Sequence, residues 1–493
     1  MRRFLSTPFS FLRIATLVLT TSALLPASGI STSTAAWYAG AVVVAAQDAP
    51  APYDWLIRGG SVVDGTGSPA RSAEILLRDE RIVHIGAVDP DTVQVERVFD
   101  ARGLVVAPGF IDLHAHGDPT DDPSFQNFLA QGVTTIVLGQ DGSSPEARGF
   151  TEYLQAVEAA RPSVNLAYLV GHNTIRRESG VGFGDPDAPG LERMANLVDR
   201  AMAAGAFGLS TGLEYSPGGR AGPDELAAIA GPVGERGGVV MSHLRSEDEG
   251  RVLAAVEELL EQGRRSGAGV HVSHMKIVLG DDPGRARRIL DVMAGARDSG
   301  MQVTGDVYPY LASFTGISLL FPDWALAPNE YATVVRNRGD ELAAYLRRRV
   351  ESRNGPEATL FGSGPWSGRT LADVAEEQER PFEDILVELG PGGARAAYFV
   401  MDADVMTTFL IDPFVAVASD GSPTMAHPRG YGAFARVLHH HVAEREILTL
   451  EEAVRKMTSL PAGILDLDDE TRVDVPVGVL REGWAADVVA FDP

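Results

Sequence analysis

Two histidines one residue apart stand at the end of an apolar run, and their spacing suits metal chelation. The run Ile111-Asp112-Leu113 leads into His114-Ala115-His116. In an extended chain residues i and i+2 point the same way, so both imidazoles face one point. Imidazole is a ligand that zinc and other borderline divalent metals favour. The sequence therefore predicts a ligand pair here, with Asp112 as a hydrogen-bonding anchor beside it.

More side chains that can bind metals follow other apolar runs, at the point where each run ends. They are Asp141, His243, His274 and Asp420. A lone His-x-His pair is common on surfaces, but four of the 11 histidines occupy such positions. In a barrel of parallel strands, the carboxyl ends of the strands meet at one face. The six side chains together predict a metal centre at that face.

Eight apolar runs alternate with longer amphipathic segments, and this alternation predicts the elements that position the six side chains. The runs are Leu104–Leu113, Thr134–Leu138, Asn165–Val170, Phe207–Ser210, Gly238–Ser242, Gly269–Ser273, Gln302–Val307 and Phe414–Ala418. Between two of them, apolar residues recur at helical spacing from Val252 to Leu260. Eight strands separated by helices predict an α/β fold, the (β/α)8 or TIM barrel.

The chain ends carry short strands between glycine, aspartate and proline turns. We expect residues 53–107 and 466–493 to form the two parts of a small β-sandwich. The barrel is predicted over residues 108–465. An insertion at about 308–413 is expected over the barrel mouth, because that gap is far longer than one helix.

The composition excludes several classes of function. The 493 residues are 45% hydrophobic and 22% charged, as in a folded soluble protein. With 42 basic and 67 acidic residues the net charge is −25, and no basic stripe is present, so nucleic acid is excluded as a partner. The chain has no cysteine, which excludes a disulfide framework, a thiolate zinc site and a cysteine nucleophile.

Residues 1–46 predict a signal peptide. Arg2, Arg3 and Arg13 precede the apolar stretch Ile14–Leu25, which is too short to span a bilayer. Small residues at Val44-Ala45-Ala46 suit cleavage. We expect a periplasmic or secreted protein with no membrane anchor after cleavage; an uncleaved anchor is the alternative.

A larger set of motifs resembles one enzyme family. The motifs are Pro108–His116, Gly132–Thr135, Gly208–Tyr215, Ser242–Arg245, Ser273–Lys276, Asp306–Tyr310, Ser419–Gly421, His427–Arg429 and Met457–Ala462. The first resembles the signature of the amidohydrolase superfamily. Together they resemble the N-acyl-D-amino-acid deacylases (D-aminoacylases) over nearly the whole chain from Trp55 to Pro493.

The resemblance implies a barrel plus β-sandwich that hydrolyses a small-molecule substrate, the amide of an N-acyl-D-amino acid, with a bound metal. It implies a tight zinc ion on His243, His274 and Asp141. A second divalent metal is expected where His114 and His116 face Asp141 and Asp420.

The resemblance also implies roles for side chains around the metals. Asp420 is the expected catalytic group, which takes a proton from water and delivers it to the leaving amine. The substrate α-carboxylate is expected on Lys276, Tyr308 and Arg429, while Tyr215 orients the scissile carbonyl.

Two departures from the family pattern bear on these expectations. The family's bridging cysteine is replaced by Asp141 in the turn Gly139-Gln140-Asp141-Gly142. A carboxylate can bridge two cations but favours zinc less strongly than a thiolate does, and a carboxylated Lys276 is the alternative bridge. The chain also stops at Phe491-Asp492-Pro493 where relatives continue, so the β unit is expected to be incomplete.

The side-chain preference is predicted from one loop. Members of the family that prefer acidic D-residues carry an arginine after the Tyr-Pro-Tyr strand end, whereas residues 312–321 hold no cation. This predicts a neutral or apolar pocket, unless Arg336, Arg338 or the run Arg347–Arg349 reaches it. Two other functions stay open: an amidohydrolase acting on cyclic amides or D-residue dipeptides, and a non-catalytic periplasmic binding barrel.

Overall fold

The structure, a computed structural model, describes residues 52–89 and 92–493, so the predicted signal peptide at 1–46 lies outside it. The strands are β1 Tyr53–Arg58, β2 Ser61–Val62, β3 Arg71–Ser72, β4 Glu74–Arg78, β5 Arg81–Gly86, β6 Val95–Asp100, β7 Val105–Pro108, β8 Phe110–Asp112, β9 Val133–Leu138, β10 Asn165–Gly171, β11 Gly208–Gly212, β12 Val239–His243, β13 Gly269–Val272, β14 Val303–Val307, β15 Ser313–Gly316, β16 Thr359–Phe361, β17 Arg395–Tyr398, β18 Val415–Val417 and β19 Val488–Phe491.

The helices are α1 Gln126–Leu129, α2 Phe150–Ala160, α3 His172–Glu178, α4 Ala188–Ala204, α5 Pro223–Glu235, α6 Val252–Ser266, α7 Pro283–Asp298, α8 Tyr331–Glu351, α9 Leu371–Glu377, α10 Phe382–Leu389, α11 Ala403–Leu410, α12 Arg429–Arg436, α13 Leu450–Met457 and α14 Ser459–Ile464. A π-helical turn, Val437–Glu444, continues α12. No helix within the described residues is long and apolar enough to cross a membrane.

Eight parallel strands form the predicted barrel, in the order β8 to β14 and then β18. The ring is closed between the first and last strands by a bridge that pairs Ala115 with Gly421. These strands are buried on both faces, which explains why they appear in the sequence as continuous apolar runs. The (β/α)8 fold is confirmed.

One predicted strand is divided in two. We expected Leu104–Leu113 to be a single strand, but β7 and β8 separate at Gly109 and join different sheets. A side chain at Gly109 would collide with Thr134, since a Cβ atom there would lie 2.1 Å from the Thr134 hydroxyl oxygen. The chain therefore passes from the small sheet into the barrel where glycine allows close contact.

Both ends of the chain contribute to a β-sandwich beside the barrel. One sheet has the order β5-β4-β1-β6, and the other has the order β19-β7-β2-β3. Side chains from the two sheets share one core, with Ile57 and Ile75 from the first and Val62, Val106 and Val488 from the second. The C-terminal strand β19 pairs antiparallel with β7, as its apolar character suggested.

The helix predicted from the spacing at Val252 to Leu260 is α6. Its apolar residues face the barrel, and the helix ends at Gly267, whose φ of 72° is the left-handed conformation that glycine adopts without strain.

The segment between β14 and β18 is an excursion over the carboxyl end of the barrel. It contains a three-stranded antiparallel sheet, β15-β17-β16, and helices α8 to α10, which share a separate apolar core. Helix α11 ends the excursion and returns to the barrel, where it packs on α7. Residues of β15 and β17 reach the cavity that opens at the barrel mouth.

Candidate metal centre and active site

The hydrogen bonds that close the barrel bring the first and last strand ends together. The Asp420 amide donates to the His114 carbonyl over 2.8 Å, and the His116 amide donates to the Gly421 carbonyl over 2.7 Å. Asp112 supports this junction, because its Oδ1 accepts hydrogen bonds from the amides of His114 and Ser419. Burial raises the pKa of Asp112 to about 7. Its predicted role as an anchor is thus confirmed.

Three of the predicted ligands meet at the carboxyl ends of the barrel strands β9, β12 and β13. His243 Nδ1 and His274 Nε2 are 3.0 Å apart. Asp141 Oδ1 lies 3.5 Å from His274 Nε2 and 3.8 Å from His243 Nδ1. Ligand atoms bound to one tetrahedral zinc ion at 2.0–2.1 Å would be separated by about 3.3 Å, so this spacing fits one ion.

Asp141 is shared with a second group of predicted ligands, which follow β8 and β18, the first and last strands of the barrel. His114 Nε2 lies 3.3 Å from Asp141 Oδ1, and His116 Nε2 lies 3.6 Å from Asp141 Oδ2. Asp420 Oδ1 approaches His116 Nε2 to 3.2 Å. Asp141 therefore faces both groups, with Oδ1 towards His114, His243 and His274 and Oδ2 towards His116. The structure brings all six predicted side chains together.

The donor atoms of this centre suit a divalent cation. His114 Nε2 and Asp141 Oδ1 are buried and have no hydrogen-bond partner among the described residues. Buried polar atoms without a partner are costly, and a metal ion would satisfy both of them. A set of imidazole and carboxylate donors matches zinc and similar borderline cations.

The backbone is strained at three of the six positions. Asp141, His274 and Asp420 have φ values of 55°, 36° and 49°, in the left-handed region that residues with a side chain seldom adopt. Such conformations cost about 1–3 kcal/mol each and persist where the surrounding structure determines them. Here the strain turns three side chains from different strand ends towards one point.

Two carboxylates behind the histidines were not predicted from the sequence. Glu214 Oε2 lies 3.1 Å from His243 Nε2, and Glu247 Oε1 lies 3.0 Å from His274 Nδ1. When the other nitrogen of each ring faces a metal, these nitrogens carry the proton and donate to the carboxylates. Glu214 is within a motif that resembles the family, but nothing in the local sequence pointed to Glu247.

Glu247 also holds Lys276. Its Nζ lies 2.5 Å from Glu247 Oε1 and 2.8 Å from His274 Nδ1. Burial by itself raises the pKa of Glu247, but the Lys276 charge and nearby imidazoles hold that pKa below its usual value. Lys276 therefore contacts the outer nitrogen of His274, whereas Asp141 occupies the position between the two ligand groups. The geometry favours Asp141 over a carboxylated Lys276 as the bridge.

Arg429 reaches the centre from the start of α12. Its Nη1 lies 2.8 Å from Asp420 Oδ2, and its Nε has no partner among the described residues. Burial raises the pKa of Asp420, but the Arg429 guanidinium and nearby imidazoles outweigh it and hold that pKa well below the ordinary value. Asp420 is consequently a carboxylate at neutral pH, the form that can accept a proton.

The two tyrosines of the predicted set occupy different positions. Tyr215 lines the cavity, with its hydroxyl 3.2 Å from Thr315 Oγ1 and its ring 4.5 Å from the His243 ring. Tyr308 is only 1% exposed and donates to Met401 Sδ over 3.6 Å. Tyr308 packs against Lys276 and Arg429 and is not among the residues that line the cavity, so the structure places it in support of the two cations. Its predicted contact with the substrate stays a prediction.

The cavity at the barrel mouth has a volume of about 410 Å³ and holds three arginines that the sequence did not place there. The loop 312–321 contributes neutral residues to the wall, as expected from its composition. The arginines are Arg177, Arg353 and Arg395. The arginines that we expected to be able to reach the pocket, Arg336, Arg338 and Arg347–Arg349, are not among them. The pocket therefore contains cations that the composition of the loop 312–321 did not indicate.

Known proteins are similar to this chain in sequence and fold. Residues 97–304 match the amidohydrolase family. The N-acyl-D-glutamate deacylase of Alcaligenes xylosoxydans xylosoxydans is 36% identical over 464 residues, which cover 89% of this chain and 87% of that protein. The crystal structure of N-acyl-D-glutamate deacylase from Bordetella bronchiseptica, with zinc and a phosphonate inhibitor, matches with a TM-score of 0.77 and 34% identity over 90% of each chain. A D-aminoacylase with a binuclear metal centre matches with a TM-score of 0.75 and 32% identity, also over 90% of each chain.

A closed (β/α)8 barrel with histidines and aspartates gathered at its carboxyl face defines an amidohydrolase. Because the similarity extends over about nine-tenths of the relatives as well, the chain belongs more narrowly to the N-acyl-D-amino-acid deacylase (D-aminoacylase) family, amidohydrolases that act on linear amides.

Proposed function

We propose that this protein hydrolyses the amide bond of N-acyl-D-amino acids and releases a carboxylate and a free D-amino acid. The observation that carries the proposal is the joining of two ligand groups by Asp141, with Asp420 and two cations on the same cavity. The relatives named above, which are deacylases of N-acyl-D-glutamate and other D-amino acids by name, support the substrate class.

We propose zinc as the tightly bound metal, held by Asp141, His243 and His274. His114, His116 and Asp420 would complete a second, weaker site that shares Asp141 with the first. A bound zinc ion supplies Lewis acidity, which polarises the scissile carbonyl and lowers the pKa of water towards about 7. The replacement of a thiolate by Asp141 is expected to weaken zinc binding relative to relatives that have the cysteine.

Asp420 has the position and charge of the proton carrier. Its Oδ1 faces the ligand groups, while its Oδ2 is held by Arg429. Asp420 would accept the proton of the attacking water and pass it to the nitrogen of the leaving amine, since one carboxylate can act first as base and then as acid. The amine then leaves as a neutral group.

The cations beside the centre would bind the substrate α-carboxylate. Lys276 and Arg429 both line the cavity, and the guanidinium of Arg429 also holds Asp420. The Tyr215 hydroxyl is available to the scissile carbonyl. A carboxylate clamp favours a linear N-acyl amino acid over a cyclic amide, which lacks a free α-carboxylate.

We also propose a periplasmic or secreted location. The basic start and short apolar stretch of residues 1–46 support it, although they lie outside the described part of the chain. N-terminal sequencing of protein exported from a bacterial host would detect cleavage after Ala46.

The test of function is a screen of the metal-loaded protein against N-acetyl derivatives of D- and L-amino acids, with hydantoin and a D-dipeptide included. We expect release of the D-amino acid and little turnover of the L-enantiomers or of hydantoin. Turnover of hydantoin in preference to every N-acyl-D-amino acid would assign the protein to cyclic amides. Tight binding without any turnover would indicate a binding protein.

A further inference from the structure

An arginine outside the expected loop faces the cavity beside that loop. Arg395 begins β17, and its register pairs it with Gly316, the last residue of β15. Both residues line the cavity, and Arg395 is exposed. Its backbone amide bonds to Ser363, but its side chain forms no hydrogen bond or ion pair among the described residues. The cation that residues 312–321 lack is therefore supplied by the strand next to them.

Two more arginines line the same cavity. One has no carboxylate partner among the described residues, and the other shares its carboxylate partner with two further arginines. The Arg177 guanidinium donates to Thr174 Oγ1 over 3.0 Å and makes no ion pair with any described residue. Arg353 is 3% exposed and its Nε has no partner in the described part of the chain. Its nearest carboxylate, 3.4 Å away, belongs to Asp248, which also binds Arg251 and Arg349.

These arginines lack a carboxylate of their own although the chain has 25 more acidic than basic residues. By contrast, Arg338 and Arg347 of α8 each form an ion pair with a glutamate. A guanidinium that lines a cavity and has no acidic partner of its own can bind an anionic ligand, because its fork of N–H groups fits a carboxylate. The α-carboxylate of the substrate is assigned to Lys276, which follows β13, and to Arg429, which begins α12 after β18.

We propose that the substrate carries a second carboxylate, on the amino-acid side chain or on the acyl group, and that Arg395 binds it together with Arg353 and Arg177. This inference rests on the proposed function and replaces the expectation of a neutral pocket. That expectation considered only the loop 312–321, whereas the sheet pairing of β15 with β17 brings in a cation from a distant part of the chain.

Binding without turnover tests the proposal. Metal-loaded Asp420→Asn protein is titrated by calorimetry with two matched pairs. N-acetyl-D-glutamate against N-acetyl-D-glutamine reports a carboxylate on the side chain. N-succinyl-D-leucine against its succinamide analogue reports a carboxylate on the acyl group. We expect the acid of at least one pair to bind about tenfold or more tightly, the size of one charge-assisted hydrogen bond.

The Arg395→Gln substitution is then added to the same protein. It should remove most of that preference and leave the affinity for the neutral member of the pair unchanged. Arg336→Gln is the matched control, because Arg336 is an exposed arginine of the excursion that does not line the cavity. Equal binding of acid and amide in both pairs, or a preference that survives Arg395→Gln, would overturn the proposal.

The pair that responds identifies where the second carboxylate lies. Hydrolysis by the wild-type protein is measured separately, so an inactive protein that still prefers the diacid would refute the deacylase function and support the anion site. An active protein without the preference would support the deacylase function and refute the anion site.

Discussion

Glu247 is expected to couple metal binding to substrate binding, and replacing it with glutamine tests this directly. One oxygen, Glu247 Oε1, lies 3.0 Å from His274 Nδ1 and 2.5 Å from Lys276 Nζ. Those two nitrogens are 2.8 Å apart. When His274 Nε2 binds a metal, both nitrogens are donors, and two donors so close together require a common acceptor. Glu247 provides it, and the residue is 7% exposed.

The size of the effect follows from these contacts. Loss of a carboxylate behind a ligating histidine typically lowers metal affinity about 10- to 100-fold. Glu247→Gln keeps the shape but removes the charge, so Lys276 also loses its counter-ion within a buried site. We therefore expect metal affinity to fall within about that range and KM for an N-acyl-D-amino acid to rise, because Lys276 is no longer held beside the cavity.

Glu214→Gln is the matched control, since Glu214 supports His243 but has no contact with Lys276. Zinc affinity is measured by competition with a chromogenic chelator, and KM is measured with both variants fully loaded. Both variants should bind zinc more weakly, but the rise in KM should be confined to Glu247→Gln. If Glu247→Gln retains zinc within about twofold of the wild type, well short of the range above, the reasoning is refuted.

Further expectations concern the centre and the fold. Asp420→Asn should lower kcat by about 100- to 10,000-fold because an amide cannot accept the water proton, and metal analysis should show the tight ion retained; near-normal turnover would remove Asp420 from the mechanism. Asp141→Ala should release metal, whereas Lys276→Ala should mainly raise KM; metal-free Lys276→Ala beside metal-replete Asp141→Ala would instead favour a carboxylated lysine. Gly109→Ala should destabilise the protein by about 1–3 kcal/mol through overpacking against Thr134, and an unchanged melting temperature would contradict that collision.

The sequence by itself determined the barrel and the six side chains of the candidate metal centre. The reason is local: apolar runs specify buried strands, and parallel strands of a barrel present their carboxyl ends at one face. His114 and His116 both face Asp141, as the spacing of the pair predicted. Asp141 joins the centre for the same reason, since it follows the end of β9, whereas its role as the shared carboxylate was implied by the resemblance to the family.

Only the tertiary structure decided what surrounds those ligands. Glu247 reaches His274 and Lys276 through the loop after β12, Tyr308 turns behind the cations, and Arg395 arrives through the pairing of β15 with β17. None of these contacts follows a sequence period, because each depends on how a loop or the long excursion folds back over the barrel. Local patterns fix which face of a strand a residue occupies, but the partners of that residue across loops are fixed only when the whole chain has packed.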